Sequence, residues 1–331
     1  MTLSREQLIC PESTPYYHVT SRCVRRAFLC GIDHYTQQSY EHRKPWLLDK
    51  IKQLASIFTI DICAYAIMSN HYHLILHINL ADNRDLSDVD VVERWQQLFA
   101  MPMLVDDWRV GKEQSTAEQE VVAELIEKWR SRLKDISWFM RCLNEDIARR
   151  ANQEDKCKGH FWEGRFKSQA LLDEKALLTC MAYVDLNPIR ADICQHIEEQ
   201  EFTSIYERIQ QFKAKQDAHQ VTKSELLPFE RQFDVRQPHE IPFYFEEYLQ
   251  LVDWTGRAIR DDKRGYIPAN QPKLLQELGI EQDSWLQLVS HFSRSFGSAA
   301  GSWEHLTAHS IRTGHCWTRG QAACNRLSGF G

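Results

Sequence analysis

The sequence predicts an α+β fold for this chain of 331 residues. Three observations carry that expectation. Apolar and polar residues alternate near 15–22 and 71–79, an apolar strand lies between them at 58–67, and longer segments repeat their apolar residues at helical spacing. Alternation sends successive side chains to opposite faces of a sheet, whereas recurrence every three or four residues makes one stripe on a helix.

In chain order, Pro15-Tyr-Tyr-His-Val-Thr-Ser-Arg22 alternates and is rich in strand formers, so it reads as the first strand, continuing through Cys23–Cys30 to a turn at Gly31 and Asp33. Trp46–Ile57 carries apolar residues at 47, 48, 51, 54, 55 and 57, a helical stripe. Two strands follow at 58–67 and 71–79, separated by the polar hitch Met68-Ser69-Asn70. Residues 81–127 break the pattern: Asp82, Asp85, Asp88 and Asp90 lead into a short helix near 89–100, Pro102 interrupts it, and a second helix starts near 116 and runs past Trp129. A third helix near 135–151 lines up Ile136, Phe139, Met140, Leu143 and Ile147. His160–Ser168 reads as extended. The segment from Asp173 to Leu186 reads as a helix with Asp173 as N-cap and Pro188 just beyond its end. Residues 213–240 are polar and proline-punctuated, as a linker would be, and 241–331 read as a small helical unit anchored by Tyr244, Tyr248, Trp254, Trp285, Trp303 and Trp317.

Composition narrows the function. Apolar content of 43% and charged content of 26% are those of an ordinary globular protein. No apolar run approaches the roughly 18 residues of a membrane span, and no apolar signal segment opens the sequence, so a cytoplasmic location without a membrane partner is expected. The ten cysteines are scattered without a C-x-x-C pair, which excludes a zinc ribbon or thioredoxin-type motif. A net charge of −6 argues against nucleic acid only until its distribution is considered. Residues 81–127 hold 12 acidic and 4 basic side chains, whereas 128–170 hold 11 basic and 6 acidic. The molecule is polarised.

The chemistry concentrates in two places. On the strand His71-Tyr72-His73-Leu74-Ile75-Leu76-His77-Ile78, residues two apart share a face, so His71 and His73 stand side by side where both can bind one metal ion. Tyr72, Leu74, Leu76 and Ile78 point the other way, into a core. His77 lies about 13 Å along the strand from His73, a neighbour rather than a ligand. On the helix that ends near Asn187, Tyr183 and Asn187 are four apart and so project from one face. If that face meets the strand, His71, His73 and Asn187 can hold a divalent ion and Tyr183 can attack a phosphodiester that the ion polarises, which describes covalent DNA strand cleavage. Asn187 also suits a helix terminus before proline, and the two roles coexist.

At these residues the chain resembles the single-tyrosine HUH endonucleases, specifically the REP-associated tyrosine transposases. Met68-Ser-Asn-His-Tyr-His-Leu-Ile-Leu76 resembles the family's histidine–hydrophobic–histidine strand, and Ala182-Tyr-Val-Asp-Leu-Asn-Pro-Ile-Arg-Ala191 its tyrosine helix. Phe161-Trp-Glu-Gly-Arg-Phe-Lys167 is similar to the segment before that helix, and Tyr16-Tyr-His-Val-Thr-Ser-Arg22 to the first strand. The resemblance covers roughly 15–80 and 130–195. It implies a ferredoxin- or palm-like antiparallel sheet with helices packed on one face, often in a homodimer. It further implies Mg²⁺ or Mn²⁺ at His71, His73 and Asn187, and Tyr183 as the nucleophile that leaves a 5′-phosphotyrosine on single-stranded, hairpin-forming palindromic repeats. The acidic insertion at 81–127 and the extension beyond 200 depart from the compact members of that family. The expected organisation is a discontinuous catalytic domain (1–80 and 128–200), an acidic helical insertion (81–127), a linker (201–240) and a mainly helical C-terminal region (241–331).

Arg22, Arg25, Arg26, Arg165 and Lys167 are the expected phosphate contacts, the alternative being a solvated basic face. Phe161 and Trp162 suit core packing more than base stacking. Residues 81–127 are expected to be a solvated helical excursion, with shielding of a basic groove as the sharper alternative. Two rival functions remain open from sequence: a catalytically silent DNA-binding protein of the same fold, and a metal-dependent phosphodiesterase that uses water instead of tyrosine.

Overall fold

The computed structural model describes residues 8–24, 29–33, 37–194, 196–216, 225–230, 239–259, 271–314 and 319–327. Its centre is a five-stranded sheet in the order β2-β3-β1-β4-β5. The strands are β1 (Tyr16–Arg22), β2 (Ile60–Ile67), β3 (His71–Ile78), β4 (Lys167–Leu171) and β5 (Ala299–Ala300). The first four pair antiparallel, but β5 runs parallel to β4, so the expected purely antiparallel sheet is corrected to a mixed one.

Helix α1 (Arg43–Ile57) links β1 to β2. The excursion after β3 contributes α2 (Leu80–Asp85), α3 (Asp88–Gln96), α4 (Met103–Arg109) and α5 (Thr116–Leu133), and α6 (Ile136–Glu154) leads back toward β4. The first sheet face carries Tyr72, which is fully buried and donates from its hydroxyl to Asn144 Oδ1 of α6 at 2.6 Å. Asn144 in turn donates to Ser21 of β1. Arg43, fully buried at the start of α1, ties that helix to Glu154 and Asp155 at the end of α6.

Helices also cover the second face, which corrects the expectation of helices on one face only. There α7 (Glu174–Asp185) begins at Asp173, whose Oδ1 accepts from the Ala176 amide at 2.8 Å. It is followed by the short α8 (Asn187–Arg190). All of the residues from Ala176 to Asp185 are buried, because α7 lies between the sheet and α12 (Gln282–Ser295).

Within 201–240, read from sequence as a linker, Ser204–Gln216 is a helix (α9) docked on the sheet. Ser204 donates to Asp185 Oδ1 at 2.5 Å, the buried guanidinium of Arg208 donates to the carbonyls of Cys63 and Leu227, and Thr203 and Leu226 bridge to β2. Beyond it come α10 (Phe245–Ala258) and α11 (Lys273–Glu277), then α12, β5, α13 (Trp303–Thr313) and α14 (Gln321–Leu327). This region adds a strand to the sheet and a helix to its second face. Trp317 lies outside the described residues.

The acidic insertion is docked rather than loose. Trp95, Phe99, Trp129 and Trp138 form one aromatic cluster, and Asn83 bonds Thr59 Oγ1 and the Arg130 carbonyl near the β2 start. It follows the C-terminal end of β3, at the opposite end of that strand from His71. No helix among the described residues is long and apolar enough to cross a membrane.

Asp185 joins three segments: it accepts from Ser204 Oγ, the Ile205 amide and, through Oδ2, the Tyr248 hydroxyl at 2.5 Å. Tyr248→Phe removes one hydrogen bond to a buried carboxyl and is expected to cost about 1–3 kcal/mol of folding stability, measured as a lowered urea midpoint at unchanged slope.

Candidate active site

The candidate site is built on strand register. Thr20 of β1 sits opposite His73 of β3 on one side and Lys167 of β4 on the other, and Arg22 sits opposite His71. Because β1 lies between β3 and β4, side chains from all three strands meet on the second face. His73 Nδ1 lies 2.8 Å from His18 Nε2 and 3.1 Å from Thr20 Oγ1. His18 Nδ1 lies 3.4 Å from Gln169 Oε1. His71 Nδ1 is 2.6 Å from Asn70 Oδ1, and the His71 and His73 rings are 4.9 Å apart at 78°.

Helix α7 brings Tyr183 onto this floor. Its ring meets His73 edge-on, with centroids 5.5 Å apart at 90°, and its hydroxyl donates to Ser293 Oγ of α12 at 3.2 Å. Seven residues further on, Arg190 lays its guanidinium over the Tyr183 ring at 4.6 Å and is tied to the Ser290 carbonyl. Asn187 is buried and its Nδ2 has no hydrogen-bond partner among the described residues.

Of these groups, Thr20, His71, His73, Tyr183, Arg190 and Ser293 border a cavity of about 820 Å³. Arg22, Arg165, Lys167, Arg190 and Arg294 line it, with Glu163 as the opposing carboxylate at 3.7 Å from Arg22. A basic rim over a dry floor is an arrangement that attracts phosphate and strengthens each charge that reaches the floor.

The floor itself is uncharged. Burial lowers the pKa of His18 to about 4, against a stabilising bond from Gln169. Burial, then the Arg22 charge, lowers His71 to about 4. Burial, then His18, His71 and Arg190, holds His73 well below the ordinary value. Neutral imidazole is the form that binds metal. His73 Nε2 is buried with no partner among the described residues, and a buried ring nitrogen without a partner is costly unless something binds it. The His71 and His73 rings thus fit a divalent ion, whereas no contact brings Asn187 to either of them among the described residues. Among the described residues there is no cluster of three or more His, Cys, Asp or Glu arranged for a metal.

Of the residues singled out from sequence, His71, His73, Tyr183, Arg22, Arg165 and Lys167 all border this one cavity. Asn187 lies at the start of the turn that follows α7. Arg25 and Arg26 lie outside the described residues. His77 is engaged elsewhere, with Asp61 at 2.9 Å and the Tyr16 ring. Phe161 is buried, and Trp162 donates its indole N–H to the Asn144 carbonyl, on the α6 side of the sheet. No residue of 81–127 lines the cavity, so its lining gives the shielding alternative no support. Sequence reasoning missed His18, Gln169, Arg190 and the whole α12 contribution. His18 carried a signal, since it shares a strand face with Thr20 and Arg22, and so did Arg190, two helical turns beyond Tyr183. The residues of α12 carried none.

No protein-family model matches the chain, and no curated protein is similar to it. Among solved structures it is similar to a REP-associated tyrosine transposase bound to a REP hairpin, at 13% identity and a TM-score of 0.38, over 64% of this chain and 87% of that one. A likeness that slight assigns no function, which rests on the residues of the site.

The neutral floor has a consequence for acid stability. His18 and His71 bind protons at about 4 when folded and near 6.5 when unfolded. The unfolded chain therefore takes up more protons in that window, and stability present above about pH 6.5 is lost as pH falls toward 4. Urea midpoints of the metal-free protein should drop across that range, and His18→Gln should make the drop shallower. A flat profile would contradict the neutral, buried floor.

Proposed function

We propose that this chain is a metal-dependent endonuclease and strand transferase, transposase-like, that cuts single-stranded DNA at hairpin-forming repeats through a covalent 5′-phosphotyrosine on Tyr183. The observation that carries this reading is the meeting of Tyr183 with His71 and His73 on the neutral floor of one basic cavity. The β-α-β-β-α-β succession and the strand order β2-β3-β1-β4 support the ferredoxin- or palm-like reading of the core. Residues 1–80 and 128–200 make up the proposed catalytic unit, and α12 closes its cavity.

In this reading the DNA backbone is drawn in by Arg22, Arg165 and Lys167, contacts that position the strand without reading its sequence. His71 and His73, with Asn187 as the further proposed ligand, would hold a divalent ion, Mg²⁺ or Mn²⁺, which would supply Lewis-acid polarisation of the scissile phosphate. The Tyr183 hydroxyl leaves Ser293, gives up its proton to solvent and attacks phosphorus. A bond from Tyr183 Oη to phosphorus forms as the bond from phosphorus to the 3′-oxygen breaks, and that oxygen leaves as a 3′-hydroxyl after taking up a proton. Arg190, over the ring face, puts a positive charge beside the phosphate as negative charge develops. Strand transfer is the reverse reaction with another 3′-hydroxyl.

Tyr183→Phe removes only the bond to Ser293 and should fold normally. On a single-stranded hairpin with Mn²⁺ it is expected to form no covalent protein–DNA adduct on a denaturing gel while binding the DNA with near wild-type affinity. His73→Ala should also abolish the adduct. An adduct that persists in Tyr183→Phe moves the nucleophile elsewhere. Turnover without any adduct identifies the water-using phosphodiesterase, and binding without turnover the silent DNA-binding protein.

The cations test separately. Arg165→Ala and Lys167→Ala should each weaken binding evenly across DNA sequences and reduce the slope of log affinity against log salt by about 1. Unchanged slopes in both would remove these residues from the DNA path.

A further inference from the structure

A chain of oriented hydrogen bonds runs from the C-terminal region to His73. Gln169 of β4 donates its amide nitrogen to the Gly297 carbonyl at 2.8 Å, which turns its Oε1 toward His18 Nδ1 at 3.4 Å. An amide oxygen only accepts, so the proton in that contact is on His18 Nδ1. A neutral imidazole carries one N–H, which leaves His18 Nε2 as an acceptor. That nitrogen lies 2.8 Å from His73 Nδ1, so the proton between the two rings belongs to His73. Thr20 Oγ1 fits the same polarity, accepting from His73 Nδ1 at 3.1 Å and donating to His18 Nε2 at 3.4 Å. His73 Nε2 is then a bare lone pair, and it is the ring nitrogen without a partner among the described residues.

We propose that the Gly297 carbonyl, Gln169 and His18 form a relay that holds His73 in its Nδ1–H tautomer, so that Nε2 is kept as a lone pair for a divalent metal ion. The reversed chain would set Gln169 Oε1 against a bare His18 Nδ1, acceptor against acceptor, and would put a hydrogen on His73 Nε2 where the metal must bind. His18 and Gln169 are therefore positioning residues that touch neither metal nor DNA. The relay also gives the C-terminal region a role in the site: the strand-adjacent carbonyl at 297 fixes the orientation of the Gln169 amide, and the orientation passes through two rings. The metal part of this inference rests on the reading of His73 as a ligand given above; the tautomer part does not.

The test uses the full chain labelled with ¹⁵N-histidine and freed of metal. Long-range ¹H–¹⁵N correlation spectra report which ring nitrogen is protonated, with His73 assigned by its loss in His73→Asn. The expected result is a protonated Nδ1 and a bare Nε2. Gln169→Leu and His18→Leu should shift His73 toward a mixture containing the Nε2–H form and weaken Mn²⁺ binding, read by electron paramagnetic resonance, about tenfold. His18→Gln, which keeps an acceptor for His73 Nδ1, should retain the wild-type tautomer and most of the Mn²⁺ affinity. A His73 protonated on Nε2 in the wild-type protein overturns the relay, and so does an unchanged tautomer in both leucine variants. The wild-type spectrum decides even if a variant fails to fold. The expected tautomer without a Tyr183-dependent adduct upholds the relay and removes the catalytic reading. An adduct formed by a protein with His73 protonated on Nε2 does the reverse.

Discussion

The site depends first on the position of β1 between β3 and β4. That placement puts Thr20 opposite both His73 and Lys167, and it sets His18 against His73 at hydrogen-bond distance. A slip of one residue in either ladder would send these side chains to the α6 face, where Tyr72, Ser21 and Asn144 make their own closed set of bonds. The apolar side of β3 enforces the register, because Tyr72, Leu74 and Leu76 are fully buried and have no second place to go.

On that frame the site divides into a dry floor and a charged rim. Histidines 18 and 73 are buried, His71 is partly so, and burial holds all three toward the neutral form, whereas Arg22, Arg165, Lys167 and Arg294 stand where a polyanion would approach. The two zones need each other. Cations on the floor would repel a metal ion, and neutral groups on the rim would give a phosphodiester no reason to enter.

The C-terminal region is part of this machinery rather than an appendage. It supplies the hydroxyl that engages Tyr183, the carbonyl that anchors Arg190, a cation of the rim and the edge strand beside β4. Its attachment is polar as well as apolar, through Tyr248 to the buried Asp185 at the end of the tyrosine helix. The acidic insertion is the counter-example. It is a docked helical layer whose stacked tryptophans hold it near the Thr59 end of the sheet, and none of its residues lines the cavity.

How much could be read beforehand follows from the range of the forces involved. Period-2 alternation and helical stripes are local, so β1, β2, β3, α1, α6 and α7 were legible to within a few residues, as were the Asp173 cap and the pairing of His71 with His73 on one face. The spacing of Tyr183 and Asn187 was equally local. What sequence could not supply was anything set by contacts distant along the chain. The parallel edge strand of two residues is too short to leave a pattern, the helix at 204–216 looked like the start of a linker because its packing partners are on β2 and α7, and α12 gives no sign that Ser293 lies against a tyrosine 110 residues earlier. By itself the sequence determined which side chains share a face. Only the tertiary structure decided which faces meet, because strand order and helix docking are set by long-range burial, and with them the hydrogen-bond polarity that reaches His73.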